Sequence, residues 1–217
     1  MTGFIERDLP ALQINLNSST FRHLWAIVTH YHAQMLNYSD MARSLGISDM
    51  TVRRYIQILS ETFMVRILQP WHENISKRQI RTPKIYIRDS GLYHQSLGLG
   101  ETDWLVHPKK GTSFEGYAIE ELIRHFGVDN QYYFWRTQVG DELDLLLIKN
   151  GKKYGFEIKY ADAPGITKSM RSAISTLNLE CLYIVTCSNN FYQKEDSIFS
   201  VGIKKISEII LGNGVCQ

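Results

Sequence analysis

A chain of 217 residues, 44% hydrophobic and 21% charged, is long enough to bury one large core or two small ones and has too little bias for long disorder. Its net charge of +2 is too small to argue for nucleic acid by itself, so any basic surface has to come from local clustering. The start, MTGFIERDLPAL, lacks the basic head and apolar run of a signal peptide, and no apolar stretch is long enough to span a bilayer, so a cytoplasmic protein is expected.

In chain order, residues 21–36 place Phe21, Leu24, Trp25, Val28 and Tyr31 at helical spacing. A short second helix is expected over 37–45, ended by Gly46, and a third over 49–61, capped by Ser48. Two strands, 65–70 and 84–88, flank a polar loop. Residues 96–111 read as a linker rich in Gly and Pro, so the expected division is 1–95, a helix-turn-helix domain with a wing, and 112–217, an α/β layered unit, with the whole chain α+β. The second domain should run helix (112–126), strands (131–136, 142–148, 154–160), helix (166–178), strands (181–186, 198–201) and a last helix (206–211). Asn150-Gly151 between two of these strands is a strong hairpin signal. Cys181 and Cys187 share one strand too far apart to bond each other, and the three cysteines read as reduced thiols.

The segment YSDMARSLGISDMTVRRYIQILS fits a helix-turn-helix. Ala42 is small where two helices would cross, Gly46 permits a left-handed turn, and Ile47 plugs the gap. Val52, Tyr55, Ile56 and Leu59 form the buried stripe. The opposite face offers Thr51, Arg53, Arg54 and Gln57, residue types that reach base edges in a major groove. The wing loop, HENISKRQIRTPK, adds Lys77, Arg78, Arg81 and Lys84 as candidate phosphate contacts. Units of this kind also serve as protein-binding modules, and these residues leave both uses open.

The second half carries acids. Strict alternation in GDELDLLLI puts Glu142, Asp144, Leu146 and Ile148 on one face and Leu143, Leu145 and Leu147 on the other. In YGFEIKY, Glu157 and Lys159 share a face, and the hairpin brings them beside Asp144. On the preceding helix, Glu115 falls on the apolar stripe with Ala118, Ile119, Leu122 and Phe126, where a carboxylate needs a partner or a cation. Hard oxygen donors suit magnesium or manganese, so Glu115, Asp144 and Glu157 are candidate metal ligands. Lys159 completes the candidate catalytic set by orienting a water or offsetting phosphate charge. The plainer alternative is an ion pair between Glu157 and Lys159 on a sheet face. No GxxxxGK[ST] loop is present.

Several stretches together resemble the C-terminal region of predicted bacterial and archaeal AAA+-type ATPases: FIERDLPAL, ARSLGISDMTVRRYIQIL, PWHENISKRQIRTPKIYIRDSGL, GTSFEGYAIEEL and DELDLLLIKNGKKYGFEIKY. The resemblance implies a winged helix followed by a PD-(D/E)XK restriction-endonuclease-like domain, its motif falling on Asp144, Glu157 and Lys159 and its upstream helical acid on Glu115. It further implies DNA as partner, a divalent ion as cofactor and an ATPase core as companion. That core's phosphate-binding loop is not in this sequence, so ATP hydrolysis by this chain alone is not expected.

Overall fold

Side-chain caps start the helices where the sequence places them. Asn37 accepts the Asp40 amide, Ser48 the Thr51 amide, and Thr167 the Met170 amide. The structure, a computed structural model, describes residues 3–12, 17–72, 81–104 and 106–211. It divides into two compact units, Met1–Ile67 with Lys84–His107, and Leu68–Pro83 with Pro108–Gln217.

The first unit runs α1 (Leu9–Ala11, after a π-helical turn Phe4–Asp8), α2 (Ser18–His30), β1 (Gln34–Met35), α3 (Tyr38–Leu45), α4 (Asp49–Glu61), β2 (Val65–Leu68), β3 (Lys84–Ile87), α5 (Ser90–Ser96) and α6 (Glu101–Trp104). Its sheet has the order β1-β3-β2. The expected helix over 21–36 stops at His30, because Ala33 turns left-handed (φ 63°) and its amide donates to the Ile85 carbonyl, which leads into β1. Gly46 adopts φ 64°, and the Ile47 amide closes α3 by donating to the Ala42 carbonyl at 3.2 Å. The stripe Val52, Tyr55, Ile56 and Leu59 is buried, with Phe21 of α2 meeting Tyr55 edge to face at 5.4 Å. His32 is a core residue: its Nδ1 accepts the Ile87 amide at 3.0 Å and its ring stacks on Tyr93. The stretch expected as a bare linker carries α6, whose Trp104 lies against His94.

The second unit is built on six strands in the order β4-β5-β6-β7-β9-β8: β4 (Gln131–Arg136), β5 (Glu142–Lys149), β6 (Lys152–Lys159), β7 (Cys181–Thr186), β8 (Phe191–Glu195) and β9 (Ile198–Gly202). Helices α7 (Lys110–Phe126) and α8 (Lys168–Leu177) accompany it. The β5–β6 hairpin turns through Asn150 and Gly151, both at positive φ (53° and 74°), the conformation that a two-residue turn needs between twisted strands. Strands β6, β7 and β9 are parallel and nearly continuously buried, whereas β8 is mostly exposed, so its apolar signal is weak and the strand was not expected. The expected last helix is a 3₁₀ turn, Ile203–Glu208.

Alternation in β5 breaks where it matters most. Between the pairs Tyr133↔Leu146 and Trp135↔Leu143, β4 advances two residues and β5 three, so β5 carries a bulge across Asp144 and Leu145. Leu143 and Leu146 consequently join the same core cluster, with Trp135, Met170 and Leu177, rather than lying on opposite faces. Cys187 is a free thiol, in line with the expected reduced cysteines, while Cys216 lies outside the described residues. Among the described residues, no helix is long and apolar enough to cross a membrane.

Candidate functional site

The bulge shapes the acid cluster. The paired register of β5 and β6 runs from Lys149↔Lys152 to Leu145↔Phe156 and stops there. Beyond it, the Ile158 amide donates not to a main-chain carbonyl but to Oδ2 of Asp144, at 2.8 Å. A charge-assisted bond of this kind holds the buried carboxylate in place. Glu157, one residue earlier on β6, is 6% exposed. Its Oε1 accepts from Nζ of Lys159 at 2.7 Å, and its Oε2 is buried with no hydrogen-bond partner among the described residues.

Burial and the neighbouring Asp144 charge push the Glu157 carboxyl up to about 8, against the pull of Lys159. Burial works to lower the pKa of Lys159, but attraction to Glu157, Asp144 and Glu115 outweighs it, and the ammonium is held more firmly than usual. Glu115 sits half-buried on α7, whose Ala118, Ile119, Leu122 and Phe126 fill the core as the stripe predicts. Its charge is felt at Lys159, so all four expected residues belong to one electrostatic neighbourhood. Glu142 adds to it, pairing with Arg136 at 3.2 Å while raising Glu157 further.

A cation fits this donor set in one respect: two buried carboxylates stand together and one oxygen has nothing to bind. Among the described residues no group of three or more His, Cys, Asp or Glu is close enough to hold a metal ion. The charge of Glu115 acts on the cluster at Lys159.

In the first unit, the exposed face of α4 is partly committed to internal contacts. The Arg53 guanidinium lies 4.0 Å from the centroid of the Tyr38 ring, Gln57 donates to Glu61 at 2.7 Å, and Thr51 bonds the Ser48 cap. Arg54 is exposed. Arg81 is exposed as well, while Lys77 and Arg78 lie outside the described residues. Lys84 is corrected: it is 4% exposed at the start of β3, so its ammonium is not on the surface where a phosphate could meet it.

Sequence reasoning overlooked the surface next to the acids. Phe114 and Tyr160, the immediate chain neighbours of Glu115 and Lys159, meet edge to face at 5.6 Å, and Nζ of Lys110 lies 5.4 Å from the Tyr160 centroid. The sequence signal was the pair Lys109-Lys110 just before GTSFE.

Fold and site define a mixed α+β protein with a helical unit and a six-stranded unit that carries a carboxylate–lysine cluster. Residues 1–103 match a family model described as Domain of unknown function (DUF8612), and residues 110–206 match Domain of unknown function (DUF4143). The latter is found in C-terminal regions associated with AAA ATPases. Uncharacterized proteins of Mycobacterium tuberculosis and Mycobacterium bovis are each 42% identical over 207 residues, covering 95% of this chain and 47% of the relative. The chain thus spans about half the length of the curated relatives it matches. A crystal structure of a Vibrio cholerae protein overlays 89% of this chain and 55% of its own at 11% identity, with a TM-score of 0.30, too low to carry an argument.

Proposed function

We propose that the chain is a nucleic-acid-interacting region of an AAA+ ATPase-like protein, with a winged helix-turn-helix in its first unit and a PD-(D/E)XK nuclease-like, divalent-metal-dependent phosphodiesterase site in its second. The observation that carries this reading is Glu157: a buried carboxyl beside Asp144, with one oxygen left without a partner. Such an arrangement is costly in a sheet and is stabilised by a cation. Asp144 and Glu157 would hold magnesium or manganese, which supplies positive charge to a scissile phosphate and makes a water more acidic. Lys159, held cationic by Glu157, Asp144 and Glu115, stands ready to offset charge that grows on the phosphate in the transition state. Glu115 keeps that ammonium charged and oriented. Arg54 on α4 and Arg81, just before β3, are exposed cations for DNA.

The test is metal-dependent cleavage of single- and double-stranded DNA by wild type, Asp144→Ala and Glu157→Ala. Both variants should lose cleavage while keeping the wild-type circular dichroism spectrum. Cleavage surviving in both would sink the nuclease reading.

A second reading, a non-catalytic module that binds nucleic acid or a protein and serves an ATPase, is favoured by a different observation. Lys159 and the Ile158 amide already occupy one oxygen of each acid, and Arg53 and Gln57 are engaged within the chain. Under this reading the protein binds DNA, or a partner, without cutting. Binding that falls steeply with salt marks the nucleic-acid version.

A further inference from the structure

We propose that the surface beside the acid cluster is a stacking platform for an unpaired nucleotide, so that the DNA drawn to this site is single-stranded or locally opened. The proposal rests on the nuclease-like reading above and names its substrate class.

Tyr160 is 46% exposed just past the end of β6, in a unit where Phe134, Trp135, Phe156 and Tyr183 are fully buried. Its packing leaves about half of the ring open to solvent. Phe114 braces it edge to face, which holds the ring in place and lowers the ordering cost when a base arrives. Lys110 brings an ammonium to 5.4 Å from the same ring, close enough to neutralise the phosphate of a nucleotide stacked there. Tyr160 follows Lys159 at the end of β6, and Phe114 precedes Glu115 on α7, so the platform stands at the same end of the strand as the acid cluster. The surface continues along α7. Tyr117, three residues after Phe114, is 42% exposed and lines a groove of about 430 Å³ with His125, Lys204 and Arg124, the last paired with Glu121. Aromatic faces interleaved with cations are the arrangement that tracks a single strand. Bases already paired and stacked in a duplex cannot use it.

The test is fluorescence anisotropy with the 217-residue chain, in chelator so that nothing is cut. A labelled oligodeoxythymidylate is compared with a duplex of equal length. The wild type should prefer the single strand. Tyr160→Ala should weaken single-strand binding about tenfold and leave the duplex unchanged, while Tyr160→Phe keeps wild-type affinity. Lys110→Ala should flatten the dependence of log affinity on log salt by about 0.7. Equal single-strand affinity in Tyr160→Ala, equal losses on both substrates, or no single-strand binding by the wild type would each overturn the platform. Because the readout needs neither metal nor cleavage, it fails separately from the nuclease reading. Cleavage lost in Asp144→Ala, with binding unmoved in Tyr160→Ala, would remove the platform alone.

Discussion

Replacing Glu157 with Gln isolates the electrostatic cost of the acid cluster. The carboxyl is buried, and burial with the Asp144 charge moves it from 4.5 up to about 8. The folded-state value lies above the unfolded one, so the stability attached to this group is complete below about pH 4.5, declines as the pH rises, and levels off above about pH 8. At pH 7 the unfolded chain has released this proton and the folded chain has not, which costs on the order of 3 kcal/mol relative to mildly acidic conditions. Lys159 stays charged throughout this window, since its own pKa is raised from 10.5. Glutamine keeps the shape and the neutral state, so Glu157→Gln should match the wild type near pH 4 and exceed it by roughly 2–3 kcal/mol near pH 7. Urea denaturation of both proteins in chelator, at intervals from about pH 4 to about pH 9, reads the difference directly. Parallel curves would refute the reasoning, because they would mean that Glu157 ionises as easily in the folded chain as in the unfolded one.

Manganese should compete with that same proton: its affinity, followed by calorimetry, should rise about tenfold per pH unit until about pH 8 and then flatten, and Asp144→Ala should lose it. A pH-independent affinity would place the ion elsewhere. Gly202→Ala should destabilise the second unit by roughly 3 kcal/mol, because an added Cβ would stand 2.0 Å from the Ser188 carbonyl oxygen, and the Gly202 amide is itself tied to the Asn190 carbonyl at 2.7 Å. Gly111→Ala in α7, where a Cβ meets nothing within 4 Å, should instead stabilise by up to about 1 kcal/mol. Thermal unfolding of the two variants should therefore shift in opposite directions.

Much of the scaffold was legible because local signals and burial agree. Ser48, Asn37 and Gly46 mark their helix ends by chemistry that acts within three or four residues, and Asn150-Gly151 permits little besides a tight hairpin. What was not legible depended on neighbours distant in sequence. Residues 69–70 read as the end of a strand; in the structure Gln69 and, just past it, Trp71 bond to Phe134, with Pro70 bridging the same residue at the edge of β4. Lys84 read as one more cation in a basic loop, yet β3 lies in the middle of its three-stranded sheet and takes the residue inside. In β8, Phe191, Tyr192 and Gln193 show no strong pattern because the strand is an exposed edge. The bulge is the clearest case. Nothing in DELDLLL marks an extra residue, and only the register against β4 reveals it.

That bulge also bears on how the two functional readings relate. In an unbroken ladder, the Ile158 amide would bond to main chain, and the Asp144 carboxylate would be a buried charge with no donor at that position. The extra residue frees the amide for Asp144 and leaves Glu157 to share Lys159. The acids are therefore partly satisfied without a metal, as a binding module requires, but not fully: Glu157 Oε2 has no partner among the described residues, and its carboxyl keeps a proton to about pH 8. A cation that displaces this proton gains the oxygen that nothing else binds, and the gain grows with pH. A metal held there would bind more weakly in mild acid than in mild alkali. If the chain cuts DNA, its rate should follow the ionisation of Glu157; a rate flat across that range would make the residue a strut of the sheet rather than a metal ligand, and only the absence of cleavage at every pH would leave the binding-module reading.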